Sequence, residues 1–145
     1  MLSKNEIYKL MNENPVFHLA TTDGDQARVR GMLLFRADDD GIIFHTASTK
    51  DVFSQIIKNP KVELCFQGIG KQIRITGELS HIKDDNKLRE DIFSHPTRKF
   101  LQAWKDNGID NLLQIFCLKN GIATEWSMKT NFDEKQFIIL NAKTN

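Results

Sequence analysis

Arg28, Arg30, Thr46, Ser48, Thr49 and Lys50 are the side chains whose types and spacing suit one piece of chemistry, the grip of a phosphate. Arg28 and Arg30 stand two apart, so in a strand they share a face. Thr46, Ser48 and Thr49 supply hydroxyls and Lys50 a cation, where a short apolar run gives way to a helical pattern. The first amides of a helix have no internal partners, and the macrodipole places partial positive charge there. Cations, hydroxyls and amides together could neutralise a phosphate dianion. Taken singly, the same residues also read as an ordinary N-cap at Ser48 or Thr49, a solvated lysine and two solvent-facing arginines.

Other chemistry finds less support. His18, His45, His81 and His95 are far apart in the sequence, and Cys65 and Cys117 form no Cys-x-x-Cys motif, so no metal site is expected. Each cysteine lies in an apolar run and reads as a buried free thiol. Asp38-Asp39-Asp40-Gly41 lacks the ligand spacing and closing glutamate of a calcium loop and reads as a turn. No Gly-x-Ser-x-Gly, P-loop or Gly-x-Gly-x-x-Gly pattern occurs, and Gly68-Ile69-Gly70 is a loop between strands. The catalytic residues stay unknown, because no general acid or base has a defined geometry in the sequence alone.

The elements that must position these residues follow from periodicity and punctuation. Ser3-Lys4-Asn5-Glu6 matches a capping box before a helical stripe of Ile7, Leu10 and Met11, stopped at Asn14-Pro15. Val16 to Thr21 and Gln26 to Arg36 read as strands about the turn Asp23-Gly24-Asp25. Ile42 to Thr46 is a buried strand, and Val52, Phe53, Ile56 and Ile57 mark one face of a helix ending at Asn59-Pro60. Val62 to Phe66 and Gln72 to Leu79 are two more strands. Asp84 to Phe93 and Thr97 to Asp106 read as helices. Asn111 to Leu118 and Ile122 to Met128 form a hairpin about Lys119-Asn120-Gly121, and Lys135 to Leu140 a last short strand or tail. Six or seven antiparallel strands with one helix after the third predict a small barrel of mainly β (α+β) class.

At 145 residues the chain suits a single domain, 1–145. With 40% hydrophobic and 27% charged residues it reads as a globular protein rather than a disordered one. A net charge of +1 with dispersed basic residues argues against nucleic acid as a partner. The polar stretch Met1 to Asn14 lacks a signal-peptide core and no apolar run reaches membrane-spanning length, so a cytoplasmic location away from membranes is expected.

The order of the motifs adds a resemblance. Arg30-Gly31-Met32-Leu33-Leu34, a turn, Gly41-Ile42-Ile43-Phe44-His45-Thr46, Ser48-Thr49-Lys50 and Asn59-Pro60-Lys61-Val62 together resemble the FMN-binding split-barrel family. That family includes pyridoxamine 5′-phosphate oxidase. The likeness continues through Gln72-Ile73-Arg74-Ile75-Thr76-Gly77-Glu78 and covers Val16 to Leu79 best.

This resemblance implies a split β-barrel with peripheral helices, built as a homodimer with FMN at the subunit interface. It places Arg30, Lys50, Ser48 and Thr49 at the FMN phosphate. The backbone of Gly31, Met32, Leu33 and Leu34 would run beneath the isoalloxazine, with His45, Thr46 and Gln72 near the cofactor and Trp126 reaching the flavin of the opposite subunit. Phe35 stands where pyridoxamine 5′-phosphate oxidase has a lysine, and Asn131 to Asn145 lacks that enzyme's paired basic residues. The chain is therefore more similar to the short general-stress and nitroimidazole-resistance-like flavoproteins. The expected activity is an FMN-dependent oxidoreductase acting on a small molecule, with a reduced nicotinamide as one electron source. Alternatives are a non-catalytic flavin-binding or stress-related module and a cofactor-free interaction protein. Haem and deazaflavin remain open as the cofactor of such a barrel.

Overall fold

A computed structural model describes residues 1–140. Helix α1 (Lys4–Glu13) begins at the expected capping box: the Glu6 amide donates to Ser3 Oγ and the Ser3 amide to the Glu6 carboxylate. Its buried face of Ile7, Leu10 and Met11 closes one side of the barrel core. Strands β1 (Val16–Asp23), β2 (Gln26–Asp38) and β3 (Gly41–Ala47) form an antiparallel meander. Helix α2 (Asp51–Lys58) leads into the hairpin β4 (Lys61–Gly68) and β5 (Lys71–Ile82). An outer helical layer follows: α3 (Asn86–Ser94), a 3-10 segment (Pro96–Leu101) and α4 (Gln102–Asp106). A 3-10 turn (Asp110–Leu112) then enters β6 (Leu113–Leu118), β7 (Gly121–Ser127) and β8 (Phe137–Leu140).

The strand order β4-β1-β2-β3-β6-β5 closes through the β4–β5 pairing, giving a six-stranded antiparallel barrel. The closed ring has six strands, within the expected six or seven, and strands β7 and β8 extend from β5 outside it, at the positions read as strands in the sequence. Strand β5 makes both possible: Lys71–Thr76 pair with β7, whereas Leu79–Ile82 pair with β6 on the same edge. Gly77 lies at the changeover. A Cβ there would stand 2.8 Å from Leu118 Cδ1, and one on Gly121 would stand 2.6 Å from Ile75 Cγ2. The sheet splits where two glycines let the backbones approach.

Inside, Phe17 stacks on Phe66 at 4.7 Å between centroids and meets Phe44 edge-on at 5.5 Å. A second cluster of Ile43, Ile115, Cys117, Leu88, Ile92 and Leu101 lies under the outer helices. Strand β3 is therefore buried on both faces. Ile42, Phe44 and Thr46 point into the barrel, while Ile43 and His45 point at the helical layer. The helix expected over Thr97–Asp106 is instead a 3-10 segment followed by a short α-helix, with Arg98 off helical geometry at φ −117°, ψ 25°. Its side chain turns inward, as described below. Among the described residues no helix is long and apolar enough to cross a membrane.

The outer face of β1, β2, β7 and β8 carries exposed Val16, Val29, Ile122, Phe137 and Ile139. Gly31 lies on this face, and a Cβ there would meet nothing within 4 Å. The two kinds of glycine should respond differently to alanine. Gly121→Ala is expected to lower the unfolding free energy by about 1–3 kcal/mol through overpacking, and Gly31→Ala by less than about 0.5 kcal/mol. Denaturant titration of the isolated variants measures both, and equal losses would contradict this account of the split.

Candidate functional site

Strand alternation puts Arg30 on the barrel side of β2, paired with Leu19 of β1. Its guanidinium lies across the barrel mouth. One Nη1 donates to Leu19 O at 3.2 Å and to Thr21 Oγ1 at 2.7 Å, and Nη2 donates to Gln55 Oε1 at 2.6 Å. The Thr21 hydroxyl in turn donates to the same Gln55 oxygen at 2.6 Å. Thr21 and Gln55 are both buried, so this network ties α2 to β1 and β2. A guanidinium has five N–H donors. Among the described residues these three bonds leave its Nε–H and one Nη2–H without an acceptor. Burial, then the nearby Arg28 charge, push the Arg30 pKa down, against a smaller opposing effect of Asp51. The opposite charge of an anion here would counteract both effects.

The N-cap of α2 is Lys50, with φ −90° and ψ 147°, and no side chain caps the helix. This differs from the N-cap reading of Ser48 or Thr49. Ser48 is held through its backbone, its amide donating to Leu112 O, and Thr49 is exposed. The first-turn amides of α2 are thus left without a side-chain acceptor. Arg30 and Lys50 line one open groove of about 1050 Å³ between α2 and the β1–β2 hairpin, together with Arg28, Ser54 and Lys58. Two cations and an uncapped helix start therefore meet at one place.

The remaining candidates lie elsewhere. Thr46 is buried in the barrel. Met32 packs against the core, whereas Gly31 and Leu33 alternate onto the outer face. Gln72 and Trp126 are cross-strand partners of β5 and β7, and Trp126 Nε1 donates to Asn131 Oδ1 at 2.7 Å. His45 faces the helical layer. There the Nε–H of Arg98 donates to its Nε2 at 2.8 Å. Arginine has no acceptor, so the His45 proton must reside on Nδ1.

Arg98 is 2% exposed and no carboxylate among the described residues pairs with it. Besides His45 it donates to Leu34 O at 2.7 Å and Thr97 Oγ1 at 3.0 Å, and lies 5.5 Å over the Phe35 ring. Leu34 and Arg36 flank an irregularity in the β2–β3 register with Phe35 between them. The buried guanidinium pins this bulge. Phe35 is thus a packing residue under Arg98 and His95. Sequence reasoning missed Arg98, Thr21 and Gln55. Arg98 sits in a helical pattern beside Pro96 that gives no sign of an inward arginine, while Thr21 and Gln55 become partners only once α2 docks.

Among the described residues no cluster of histidine, cysteine and carboxylates could hold a metal ion. The paired basic residues sought in 131–145 concern a stretch whose last five positions, 141–145, lie outside the described residues.

With this geometry in place, comparison with known proteins is informative. The family model for pyridoxamine 5′-phosphate oxidase matches residues 3–120. A NimC/NimA family protein from Clostridium acetobutylicum is 27% identical, with 95% of each chain covered and a TM-score of 0.70. A pyridoxamine 5′-phosphate oxidase-related, FMN-binding protein from Nostoc punctiforme shares 14% identity, covering 94% of this chain and 95% of that one, with a TM-score of 0.60. An FAD-binding protein from Mesorhizobium loti shares 21% identity over 87% of this chain and 96% of that one, with a TM-score of 0.63. The last two share the fold.

Desolvation, then the charges of Arg98 and Lys50, lower the His45 pKa from 6.5 to about 4. Between these values the unfolded chain binds a proton that the folded chain refuses, so stability falls as the pH drops from about 6.5 to about 4, by on the order of 3 kcal/mol. Unfolding titrations of the wild type and His45→Asn at pH 7 and pH 4.5 test this: the variant should lose this component of the pH dependence. Identical pH profiles would show that His45 titrates normally.

Proposed function

Because this chain belongs to the pyridoxamine 5′-phosphate oxidase family, we propose that it is an FMN-dependent oxidoreductase acting on a small molecule, with a reduced nicotinamide as one electron source. The observation that carries this reading is the convergence of Arg30 and Lys50 on one groove at the uncapped start of α2. The donor set fits a phosphate monoester. Arg30 offers two N–H groups from a fork held by Thr21, Gln55 and Leu19 O, Lys50 adds a mobile point charge, and the helix amides add aligned dipoles.

Bound flavin would supply the redox chemistry, accepting a hydride and passing electrons on. This chain's residues would hold the phosphate and leave the Gly31 backbone open on its outer face, beside the Leu33 side chain. The FMN-binding label of the Nostoc punctiforme protein, which shares the fold, agrees with this cofactor. The exposed apolar residues on the outer face support a homodimer, which would bury Val16, Val29, Ile122, Phe137 and Ile139. Gln72 and Trp126 face outward on β5 and β7, alongside Ile122.

The purified protein mixed with FMN should turn yellow and retain the flavin through gel filtration at the elution volume of a dimer. Arg30→Ala and Lys50→Ala should each weaken FMN binding by roughly tenfold or more, the worth of one charge-assisted contact. Flavin fluorescence quenching reads the affinity. A protein that neither quenches nor retains FMN would remove the flavin reading, and oxidation of a reduced nicotinamide no faster than by free FMN would remove the enzymatic one.

A further inference from the structure

Arg74 is a half-buried arginine that the fold leaves unsatisfied. Among the described residues its Nε has no acceptor and is closed off from water, and no carboxylate pairs with it. Ile73 and Ile75 beside it are buried in the barrel, so Arg74 stands on the outward side of β5, between Cys65 of β4 and Thr124 of β7. A guanidinium withdrawn from water costs free energy until something completes it.

Arg74 lines a cavity of about 180 Å³ between β5, β7 and the segment 130–136. Pockets for drug-sized ligands span roughly 300–1000 Å³, so this one suits a short molecule. Its walls are fixed. Trp126 Nε1 donates to Asn131 Oδ1 at 2.7 Å, the Asp133 amide to Thr130 O at 3.1 Å, and Thr124 Oγ1 to Gln136 O at 3.2 Å. A cavity held in this way loses little freedom when it is filled.

Both signs of charge line it. Glu125 is satisfied, by Lys71 at 3.1 Å and by the Leu2 amide at 2.9 Å. Asp133, Glu134 and Lys135 are exposed and, like Arg74, form no ion pair among the described residues. Opposite charges therefore share one cavity without neutralising each other. A molecule with a carboxylate at one end and an ammonium at the other would satisfy both kinds together, whereas a simple anion would leave Asp133 and Glu134 unanswered.

We propose that this cavity is a binding site for a small zwitterion of the amino-acid class. The carboxylate meets the Nη groups of Arg74, and the ammonium meets Asp133 and Glu134. The site shares no residue with the Arg30–Lys50 groove, so it stands apart from the flavin reading.

Calorimetric titration of the full chain with three probes of one length, γ-aminobutyrate, butyrate and butylamine, decides the matter. γ-Aminobutyrate should bind one site per chain, roughly tenfold more tightly than either singly charged probe. Arg74→Gln should weaken γ-aminobutyrate by roughly tenfold and leave butylamine within about twofold. Asp133→Asn combined with Glu134→Gln should do the reverse, sparing butyrate. Butyrate binding as tightly as γ-aminobutyrate would overturn the zwitterion assignment, and saturable binding of none of the three would overturn the site. Equal weakening of all three probes by Arg74→Gln would overturn it as a loss of packing rather than of a contact. A wild type that binds no probe and a dimer that dissociates on Arg74→Gln would assign Arg74 to the subunit interface instead.

Discussion

The hydrogen-bonded knot of Arg30, Thr21 and Gln55 is the constraint on which the geometry of the groove depends. A helix packed over a barrel mouth can slide or rotate if only apolar contacts hold it, because such contacts are non-directional. Here Val52 and Ile56 bury the apolar face of α2, while Gln55 beside them accepts two hydrogen bonds at one oxygen. Thr21 and Gln55 are buried, so shifting the helix by even one residue would strand their donors or acceptors, at about 1–3 kcal/mol each. The knot thus fixes both the start of α2 and the aim of Arg30. An arginine that would otherwise sample many rotamers is held with part of its fork committed and part free, and less entropy is lost when a ligand engages it.

A second buried arginine does similar work on the far side of β3. Arg98 has no anionic partner and instead spends its donors on a neutral imidazole, a carbonyl and a hydroxyl. Such an arrangement is tolerable only because every acceptor has a fixed position and the Phe35 ring offers its negative face. The consequence reaches the site through the bulge it pins. Before the bulge the barrel-facing residues of β2 are Arg30, Met32 and Leu34; after it they include Ala37. One extra residue therefore lets the same strand serve the mouth with one parity and the core with the other. His45, bonded to Arg98, connects this anchor to the β3 end from which Lys50 is presented.

The parts of this structure legible in the sequence are those governed by local rules. The capping box at Ser3, the turns at Gly24 and Gly41, and the alternation of Phe17 and Leu19 announce their elements without tertiary information. The meeting of Arg30 and Lys50 was legible too, since it needs only two paired strands and the helix that follows. Three features were not. Strands β7 and β8 were read as strands, but their place outside the ring arises because β5 changes partners at Gly77, and a glycine in a strand carries no label for what approaches it. The helix over Thr97–Asp106 breaks because Arg98 finds better acceptors inside than a helix offers outside, which is a tertiary override of periodicity. The N-cap moved from a hydroxyl to Lys50, because Ser48 is held through its own amide by Leu112 O.

The division of labour between mouth and outer face bears on how many chains a complete site needs. Gly31 and Leu33 of β2, and Gln72 and Trp126 of β5 and β7, all lie on the outward side of the sheet, yet β2 and β5 stand three strands apart either way round the closed ring. At about 4.8 Å per strand, Gly31 and Gln72 stand roughly 14 Å apart. A flat ring resting on Gly31 would not span that distance within one chain. If both sets of residues serve one flavin, as the family resemblance implies, a second copy laid face to face can bring its own Gln72 and Trp126 over the first copy's Gly31. The exposed valines, isoleucines and phenylalanine around them are the surface such a pairing would remove from water. A Cβ on Gly31 would meet nothing within 4 Å, so β2 leaves that part of its outward side open, in contrast to the close approaches at Gly77 and Gly121.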